Sequence, residues 1–451
     1  MKERTVVLEE TIVKLTEAKK YASLRDFLAT LNPADMAGAF TALSDQALPL
    51  VFRLLPKELA AETFVEMETE QQEILIRGFS DSELKAVVEE LYVDDAVSLV
   101  EEMPANVVSR ILAQADPDTR KMINEILQYP EDSAGSVMTT EFVELQGSMT
   151  AEQAINHIRK VGVDKETINT CYITGRTHKI KGVVSMRSLI LANPETPCEE
   201  LMASNLVTVH TLEDQETVAQ MFAKYNFQAL PVVDSDNRLL GIVTMDDAMD
   251  ILEDETTEDM EKMAAMTPSD KPYLSTGVLV LWKNRIPWLL ILMLAASVTE
   301  WVISAFSDTL LACTALMAYI PMLMDTGGNS GSQTSVMVVR GLSIQELDFK
   351  DLFRVMWKEF RVSILCGLTL ALVTFAKLML LDQVGLLVAL VVSAALVCTV
   401  IVAKLVGCLC PMLAKKLGFD PALMASPLIT TIVDMLSLLI YFALAGWMLG
   451  L

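Results

Sequence analysis

The first 130 residues carry a short, repeating pattern of apolar and polar positions. Brief apolar runs such as Leu48–Phe52 follow residues that suit the first turn of a helix, spaced roughly a dozen apart. These helix-starting residues are Pro33, Asp45, Pro56, Glu68, Ser80, Asp94, Pro104 and Asp116. Short helices of this kind bury their apolar faces on one another and stack into solenoids. The pattern predicts an all-α superhelical domain over residues 1–132.

The pattern changes at about residue 137, where two similar segments begin. Each has an apolar strand, a helix, and a second strand that runs into a helix start; the second strands lie near 182–190 and 241–248. This arrangement resembles a tandem pair of CBS domains, small α/β modules that pair in regulatory regions, and we place it at residues 133–252. The resemblance implies adenine-nucleotide binding, with ATP as a candidate ligand. Thr244 and Asp247 match the Thr-x-x-Asp spacing that contacts ribose, whereas Ser188 replaces the carboxylate in the first copy.

Residues 253–274 form a predicted acidic linker helix. Between Asp250 and Met266 there are seven acids and one base, Lys262, beside a narrow apolar stripe. Like charges at this density repel one another along a helix unless cations screen them.

The remainder, residues 275–451, reads as a membrane domain of five helices. Apolar stretches lie near 287–306, 309–339, 362–381, 384–410 and 427–451. Most reach the roughly 20 residues needed to cross a bilayer as a helix. A polar patch interrupts the second stretch. The fold class predicted for the whole chain is therefore a multidomain membrane protein with an all-α superhelix, α/β tandem CBS domains and a five-helix transmembrane domain.

Basic residues between the apolar stretches indicate the orientation. They cluster before the first stretch, between the second and third, and before the fifth, whereas the loops at 307–308 and 382–383 contain none, although Lys377 lies close to one of them. Because positive loops stay in the cytosol, we expect a multi-pass cell-membrane protein with its N-terminus inside and its C-terminus outside. The charged start of the chain shows no apolar signal region, which agrees with a cytosolic N-terminus.

Charge is distributed very unevenly. Residues 1–274 hold 49 acids and 24 bases, whereas residues 275–451 hold 10 acids and 11 bases. A region this acidic repels nucleic acid and attracts cations, although acidity also serves plain solubility. The seven cysteines are scattered, so no disulfide framework is expected. Cys408 and Cys410 lack a nearby histidine and are read as packing residues rather than a soft-metal pair.

Asp434 is the carboxylate that stands out in the membrane region, near the middle of the last stretch. A charge at that depth costs at least about 2.5–3.5 kcal/mol, so it belongs in a wet cavity or beside a partner. Thr430, Thr431 and Ser437 share its helical face. Lys404 is the only base near its depth, and it lies closer to the cytosolic end. An ion pathway is favoured over a buried pair or a protonated acid.

The polar patch of the second stretch, residues 324–335, has two readings. It contains no lysine and so is not a phosphate loop. Small residues in a membrane helix allow close helix packing. Alternatively, polar groups at this depth line a water-filled cavity. The patch alone does not decide between these readings.

Several strings together resemble the MgtE magnesium channels: Gly-Gly-Asn-x-Gly-x-Gln from Gly327, Arg340-Gly341, and the segment from Asp420-Pro421 through Pro427 to Asp434. The resemblance covers nearly the whole chain in the same domain order. It implies a homodimer in the lipid bilayer whose pore lies on the two-fold axis between the second and fifth helices. It also implies that Mg²⁺ is both transported and sensed, and that the linker helix acts as a gating plug.

The resemblance also assigns candidate site residues. The pore acid is Asp434 and the acid at the cytosolic mouth is Asp420. The pore-lining candidates are Gly327, Gly328, Asn329, Gly331, Gln333, Thr430 and Thr431. The regulatory metal candidates are Asp94, Asp95, Asp214, Glu216, Asp247, Asp250, Glu255, Glu258 and Asp259. Ser98 and Asn226 stand where the family pattern has aspartate, so we expect fewer regulatory ions.

Three other functions compete with a magnesium channel. A secondary transporter that couples Mg²⁺, or another divalent cation such as Co²⁺, to a second ion has the same residues. An enzyme is disfavoured because the three histidines lie outside the membrane region and no nucleophile has a base beside it. A structural adaptor leaves the intramembrane Asp434 without a role. We therefore predict a channel for Mg²⁺ uptake that closes when Mg²⁺ binds its acidic cytosolic domains.

Overall fold

The computed structural model describes residues 2–269, 273–274, 276–424 and 426–450. The chain divides into two compact units, residues 1–252 and residues 253–451. The end of the predicted linker at 270–272 and the predicted start of the membrane domain at Ser275 lie outside the described residues.

The first unit begins with ten short helices. They are α1 (Lys2–Glu17), α2 (Tyr21–Leu28), α3 (Pro33–Phe40), α4 (Leu48–Phe52), α5 (Lys57–Val65), α6 (Thr69–Gly78), α7 (Asp81–Val88), α8 (Val93–Glu102), α9 (Ala105–Gln114) and α10 (Pro117–Ile126). Two of the predicted helix-starting residues cap their helices: Ser80 forms a capping box with Glu83, and the Asp116 carboxylate accepts from the backbone N–H groups of Asp118 and Thr119. Asp45 is an exception, because it lies in a turn and α4 begins only at Leu48, after Ala47.

Alternate helices of this series pack against each other. Helix α1 contacts α3, which contacts α5, and the series continues through α7 to α9; α4 contacts α6 and α8 contacts α10 on the other side. Each helix thus buries its apolar stripe between neighbours, and side chains such as Phe40 and Phe64 are fully buried. The predicted stacked superhelix is confirmed.

The rest of the first unit contains two small mixed sheets with the same topology. The first has β1 (Val143–Gln146), β2 (Thr170–Thr174) and β3 (Ile180–Ser185), with helices α11 (Ala151–Val161), α12 (Met186–Leu191) and α13 (Cys198–Leu201). The second has β4 (Val209–His210), β5 (Ala229–Val233) and β6 (Leu239–Thr244), with α14 (Gln215–Tyr225). In each sheet the first strand is parallel to the second and the second is antiparallel to the third. The internal repeat predicted from the sequence is therefore present.

Helix α15 (Met245–Met263) follows β6 and crosses from the first unit into the second. The sequence predicted a helix from Asp250 to Met266. Helix α15 begins five residues earlier than that prediction and ends three residues earlier. Residues 264–265 form a turn, in which Ala265 has a positive φ of 54°.

Most of the second unit consists of long helices: α16 (Val278–Ala305), α18 (Ile320–Ser343), α19 (Leu352–Leu380), α20 (Leu386–Leu417) and α21 (Ser426–Leu449). Between α16 and α18 lie the short α17 (Ser307–Ala312) and a 3-10 helix (Thr314–Tyr319). Within the described part of the chain, four segments are long and apolar enough to cross a membrane: Val278–Ala305, Phe349–Leu380, Leu386–Leu417 and Pro421–Leu449. Helix α18 is not among them because of its polar patch.

The second predicted span, 309–339, had the wrong bounds. Its first eleven residues, 309–319, comprise the end of α17, then Cys313 in a non-helical conformation, and then the 3-10 helix. A new helix begins at Ile320 because Pro321, which lacks an N–H, fits its first turn. Apolar residues continue across this break, so the hydropathy pattern gave no indication that the helix is interrupted there. The polar patch itself is helical throughout.

Candidate ion-binding sites

Asp434 lies near the middle of α21, beside a hollow of about 340 Å³ between α16, α18 and α21. One carboxylate oxygen, Oδ1, is buried and has no hydrogen-bond partner among the described residues. The nearest basic candidate, Lys404, is engaged elsewhere, since its Nζ lies 3.2 Å from Thr334 Oγ1 and 3.8 Å from Glu359 Oε2. A buried ion pair with Lys404 therefore does not account for Asp434.

Asp434 is not the lone membrane acid that the sequence suggested. Glu300 of α16 lines the same hollow, together with Thr431 and Met324. Asp325 of α18 is close enough to Asp434 to act on it electrostatically. The sequence-based prediction missed both acids. Each lies inside a predicted apolar stretch, where a carboxylate is costly, and that position was the signal that could have identified them.

Helix α18 presents a polar stripe on one side. Asp325, Asn329 and Gln333 recur every four residues and are exposed in the protomer. They line a second cavity of about 500 Å³, which α19 and Lys404 of α20 complete. Two of the predicted pore-lining residues, Asn329 and Gln333, therefore face open space.

The three glycines predicted to line the pore lie on the other side of α18. They are buried, and a Cβ added at Gly327 would lie 2.9 Å from Val433 Cγ1 of α21; at Gly331 it would lie 2.8 Å from Ile429 Cγ2. Their small size allows α18 to pack closely on α21, which agrees with the interpretation of residues 324–335 as a helix-packing surface. Thr430, another pore-lining candidate, packs against Gly328, and Thr431 Oγ1 donates to the Pro427 carbonyl at 3.0 Å.

Replacing Gly328 by leucine is expected to reduce both stability and Mg²⁺ flux. A Cβ at this position would meet Thr430 Cγ2 at 2.9 Å, so the larger side chain pushes α21, and with it Asp434, away from α18. Overpacking of this kind costs about 1–3 kcal/mol. Thermal unfolding and flux into proteoliposomes are the measurements. The control Val336→Leu enlarges an exposed position of the same helix. Equal behaviour of the two variants would contradict the packing role of Gly328.

Asp420, the predicted mouth acid, pairs with the end of α15. Lys262 Nζ lies 2.7 Å from Asp420 Oδ2 and 2.7 Å from Glu258 Oε1. Burial disfavours the ammonium form of Lys262, but the hydrogen bonds to Asp420 and Glu258 outweigh it and raise its pKa. Ser343 Oγ at the end of α18 donates to Asp259 Oδ2 at 3.1 Å. Three predicted site acids, Glu258, Asp259 and Asp420, thus meet at one place in the second unit.

A second acidic cluster lies in the first unit. Asp94 and Asp95 start α8, and their carboxylates are near Asp246 and Asp247, which start α15. Glu166 and Glu141 complete the cluster. Sequence reasoning missed these two glutamates and Asp246, and no motif marks them. We name this set, Asp94, Asp95, Glu141, Glu166, Asp246 and Asp247, the α8–α15 cluster.

Burial and mutual repulsion make the cluster electrostatically unfavourable. The pKa of Asp95 is raised to about 7, mainly by burial and next by the negative charges of Asp247 and Asp246. The pKa of Glu166 is raised to about 8, mainly by burial and next by the negative charges of Asp246 and Asp247. The buried Oε2 of Glu166 has no hydrogen-bond partner in the part of the chain described. Burial also raises the pKa of Asp94 and Asp247. Such a site gains stability from any bound cation.

No three His, Cys, Asp or Glu side chains of the described residues are arranged to hold a metal ion directly. Of the other regulatory candidates, Asp250 acts on Asp247 electrostatically, whereas Asp214 caps α14 by accepting from Thr217 N at 3.3 Å. Glu216 accepts from Gln220 Nε2 at 3.0 Å, and Glu255 is half-buried on α15.

Without magnesium, the first unit is expected to lose stability as pH rises from about 5 to 8. The raised pKa values of Asp95 and Glu166 mean that the folded state binds more protons than the unfolded state in this window, so stability falls as they ionise. Mg²⁺ should abolish the dependence by replacing the protons. Calorimetry of the full chain at several pH values, with Mg²⁺ or a chelator, measures the effect as a shift of several degrees in melting temperature. An equal slope in both conditions would argue against cation binding at the cluster.

The two nucleotide candidates hydrogen-bond each other. Thr244 Oγ1 donates to Asp247 Oδ2 at 2.6 Å, and Thr244 N lies 3.3 Å from the same oxygen. Asp247 thus belongs both to the Thr-x-x-Asp motif and to the α8–α15 cluster.

A superhelix, a pair of CBS domains and a helical region with four candidate membrane spans define a multidomain membrane protein. Residues 31–132 match the MgtE intracellular N domain, residues 198–254 a CBS domain, and residues 320–444 the MgtE divalent cation transporter domain. The chain belongs to the MgtE family of magnesium transporters, as the sequence motifs predicted.

Full-length relatives support this assignment. The chain is 38% identical to the magnesium transporter MgtE of Thermus thermophilus, covering 98% of this chain and 99% of the relative. It is 32% identical to the protein of the same name from Bacillus subtilis, with 98% of each chain covered. A solved structure of the cytosolic domain of the Mg²⁺ channel MgtE in complex with ATP is 36% identical, with a TM-score of 0.50, and covers 53% of this chain and 99% of that one.

Proposed function

We propose that this protein is a magnesium channel that works as a homodimer and closes when Mg²⁺ binds its acidic regions. The observation that carries the proposal is Asp434, a mid-helix carboxylate with a buried, unpartnered oxygen beside a hollow of about 340 Å³. In a bilayer such a group is costly unless it serves an ion or water. A cation passing along α18 and α21 relieves that cost.

The chemistry of the site suits a hydrated divalent ion. Mg²⁺ loses water reluctantly and binds carboxylate oxygen, often through its own waters. Two Asp434 side chains related by a two-fold axis would hold such an ion without dehydrating it. Binding of this indirect kind admits the ion and still releases it, which conduction requires. The exposed polar stripe of α18 supports an aqueous path in the assembled dimer.

Closure follows from the electrostatics of the α8–α15 cluster. At low Mg²⁺ the buried acids repel one another, which favours separation of α8 from the start of α15. At high Mg²⁺ a bound ion holds them together. A ligand that binds one of two states more tightly shifts the population toward that state, so cytosolic Mg²⁺ drives closure.

The end of α15 is placed to transmit this closure. Its residues Asp259 and Lys262 contact Ser343 and Asp420 in the second unit. Asp420 is the mouth acid of the proposed path, so a helix that docks there obstructs it. We therefore assign the linker helix as the gate.

The orientation expected from the basic residues completes the proposal: the acidic N-terminal unit lies in the cytosol and the C-terminus outside. A solved relative is described in complex with ATP, and Thr244 and Asp247 here match the ribose-contacting motif. We propose ATP as a second ligand of the first unit.

The experiment that tests channel function is electrical recording of the purified protein in planar bilayers with Mg²⁺ as the only divalent cation. Unitary current without a coupling ion is expected. A secondary transporter is the alternative, and its signature is Mg²⁺ movement that requires a gradient of a second ion and produces no unitary steps. That result would replace the channel by the transporter.

A further inference from the structure

Three polar side chains form a closed ring inside the helical bundle of the second unit. Thr334 of α18 donates to Glu359 Oε2 of α19 at 2.9 Å, and Lys404 Nζ of α20 lies 3.2 Å from Thr334 Oγ1. Lys404 Nζ lies 3.8 Å from Glu359 Oε2 and closes the ring. One acid and one base therefore face each other across a shared hydroxyl.

The ring is deeply buried, and Lys404 most of all. Its residue is 5% exposed, and the Glu359 side chain is 20% exposed. Charges withdrawn from water in this way are tolerated only as a pair, and removing one partner leaves the other uncompensated. Breaking the ring from either side therefore changes the local charge by one unit, with opposite sign.

Lys404 also lines the cavity of about 500 Å³ beside α18. The polar side of this cavity carries Asp325, Asn329 and Gln333. A bare ammonium at this place would repel cations, and its carboxylate partner cancels that field. The charge that the cavity presents to an ion is thus set by how completely Glu359 neutralises Lys404.

We propose that the Lys404–Glu359 pair determines how readily the α18 cavity admits cations and how well it discriminates divalent from monovalent ions. The inference rests on the proposed ion path along α18. Neutrality of the pair leaves Asp325 as the acid of the cavity. An additional negative charge would attract divalent ions more strongly than monovalent ones, and an additional positive charge would repel divalent ions more strongly.

The test uses purified full-length protein in liposomes, with Mg²⁺ and Na⁺ influx measured by indicators. Glu359→Gln leaves the ammonium unpaired, and Mg²⁺ influx is expected to fall by about tenfold or more. Lys404→Gln leaves the carboxylate unpaired, and the ratio of Mg²⁺ to Na⁺ influx is expected to rise. The double variant has neither charge, and a ratio close to that of the wild type is expected.

Thr334→Val is the control, because it removes the ring hydroxyl without changing the charge and should leave the ratio unchanged. A purely structural ring predicts that both single variants lose influx together, with the ratio unaltered, and that result would overturn the proposal. If the Glu359→Gln protein does not insert into the membrane, the proposal is decided by whether Lys404→Gln raises or lowers the ratio of Mg²⁺ to Na⁺ influx. If the wild type shows no Mg²⁺ influx, the proposed ion path is rejected, and the inference falls with it. If the wild type shows influx and Asp434→Asn abolishes it, the ion path is established independently of the Lys404–Glu359 pair.

Discussion

Asp434→Asn is expected to reduce Mg²⁺ uptake to the level of protein-free liposomes while the protein still inserts and assembles. The amide keeps the shape of the side chain but removes the negative charge that attracts a hydrated Mg²⁺. Removal of a costly intramembrane charge should also raise thermal stability slightly, because Asp434 Oδ1 has no hydrogen-bond partner among the residues described. Uptake and melting temperature are both measured on the same preparation.

Asp308→Asn provides the matched control. Asp308 is an exposed acid at the start of α17, outside the long helices, and the substitution removes the same charge. Normal uptake is expected. Glu300→Gln and Asp325→Asn extend the comparison to the two membrane acids near Asp434. Wild-type uptake by a folded Asp434→Asn protein would rule out Asp434 as the central ion ligand.

Deleting residues 1–130 is expected to produce a protein that stays open at high cytosolic Mg²⁺. The deletion removes α8, and with it Asp94 and Asp95, so two of the six acids of the α8–α15 cluster are lost. A cation can then no longer hold α8 against the start of α15. Open probability in excised patches, recorded against Mg²⁺ on the cytosolic side, should remain near its low-magnesium value throughout.

A milder variant guards against misfolding, because the deleted helices share an apolar core with the second sheet. Asp94→Asn/Asp95→Asn removes two charges and keeps that core. Closure should shift to higher Mg²⁺. Glu62→Gln/Glu70→Gln, which removes two exposed acids of the same domain, should leave the curve unchanged. Closure of the deletion variant at the wild-type Mg²⁺ concentration would show that the acidic unit is not the sensor.

Neutralising Glu255, Glu258 and Asp259 to their amides tests the other end of α15. The contacts of Asp259 with Ser343 and of Glu258 with Lys262 become weaker without charge. The amides remove both the repulsion and the candidate ion ligands, so the response to Mg²⁺ is expected to flatten in the same patch recordings. An unaltered dose–response curve would separate α15 from gating.

Local pattern predicted most elements of both units, although it missed the break at Cys313. Helix starts such as Ser80 and Asp116 depend on hydrogen bonds within three residues, and apolar periodicity follows from burial of one face. The two strand–helix–strand repeats are equally local. Asp434 could be singled out because one acid in a long apolar run is costly wherever the other helices lie. Membership of the MgtE family followed from short strings at known spacing.

Tertiary structure alone decided which distant side chains meet. Glu166 joins Asp95 across 71 positions of sequence, and Lys404 joins Thr334 across 70, with no local pattern to indicate either. The orientation of α18 was similarly hidden, because its glycines and its polar stripe alternate within the same segment. Packing on α21 selected the glycine face and left Asn329 and Gln333 exposed. Sequence pattern determines what each helix must bury, whereas complementary shape and charge of its neighbours determine where it does so.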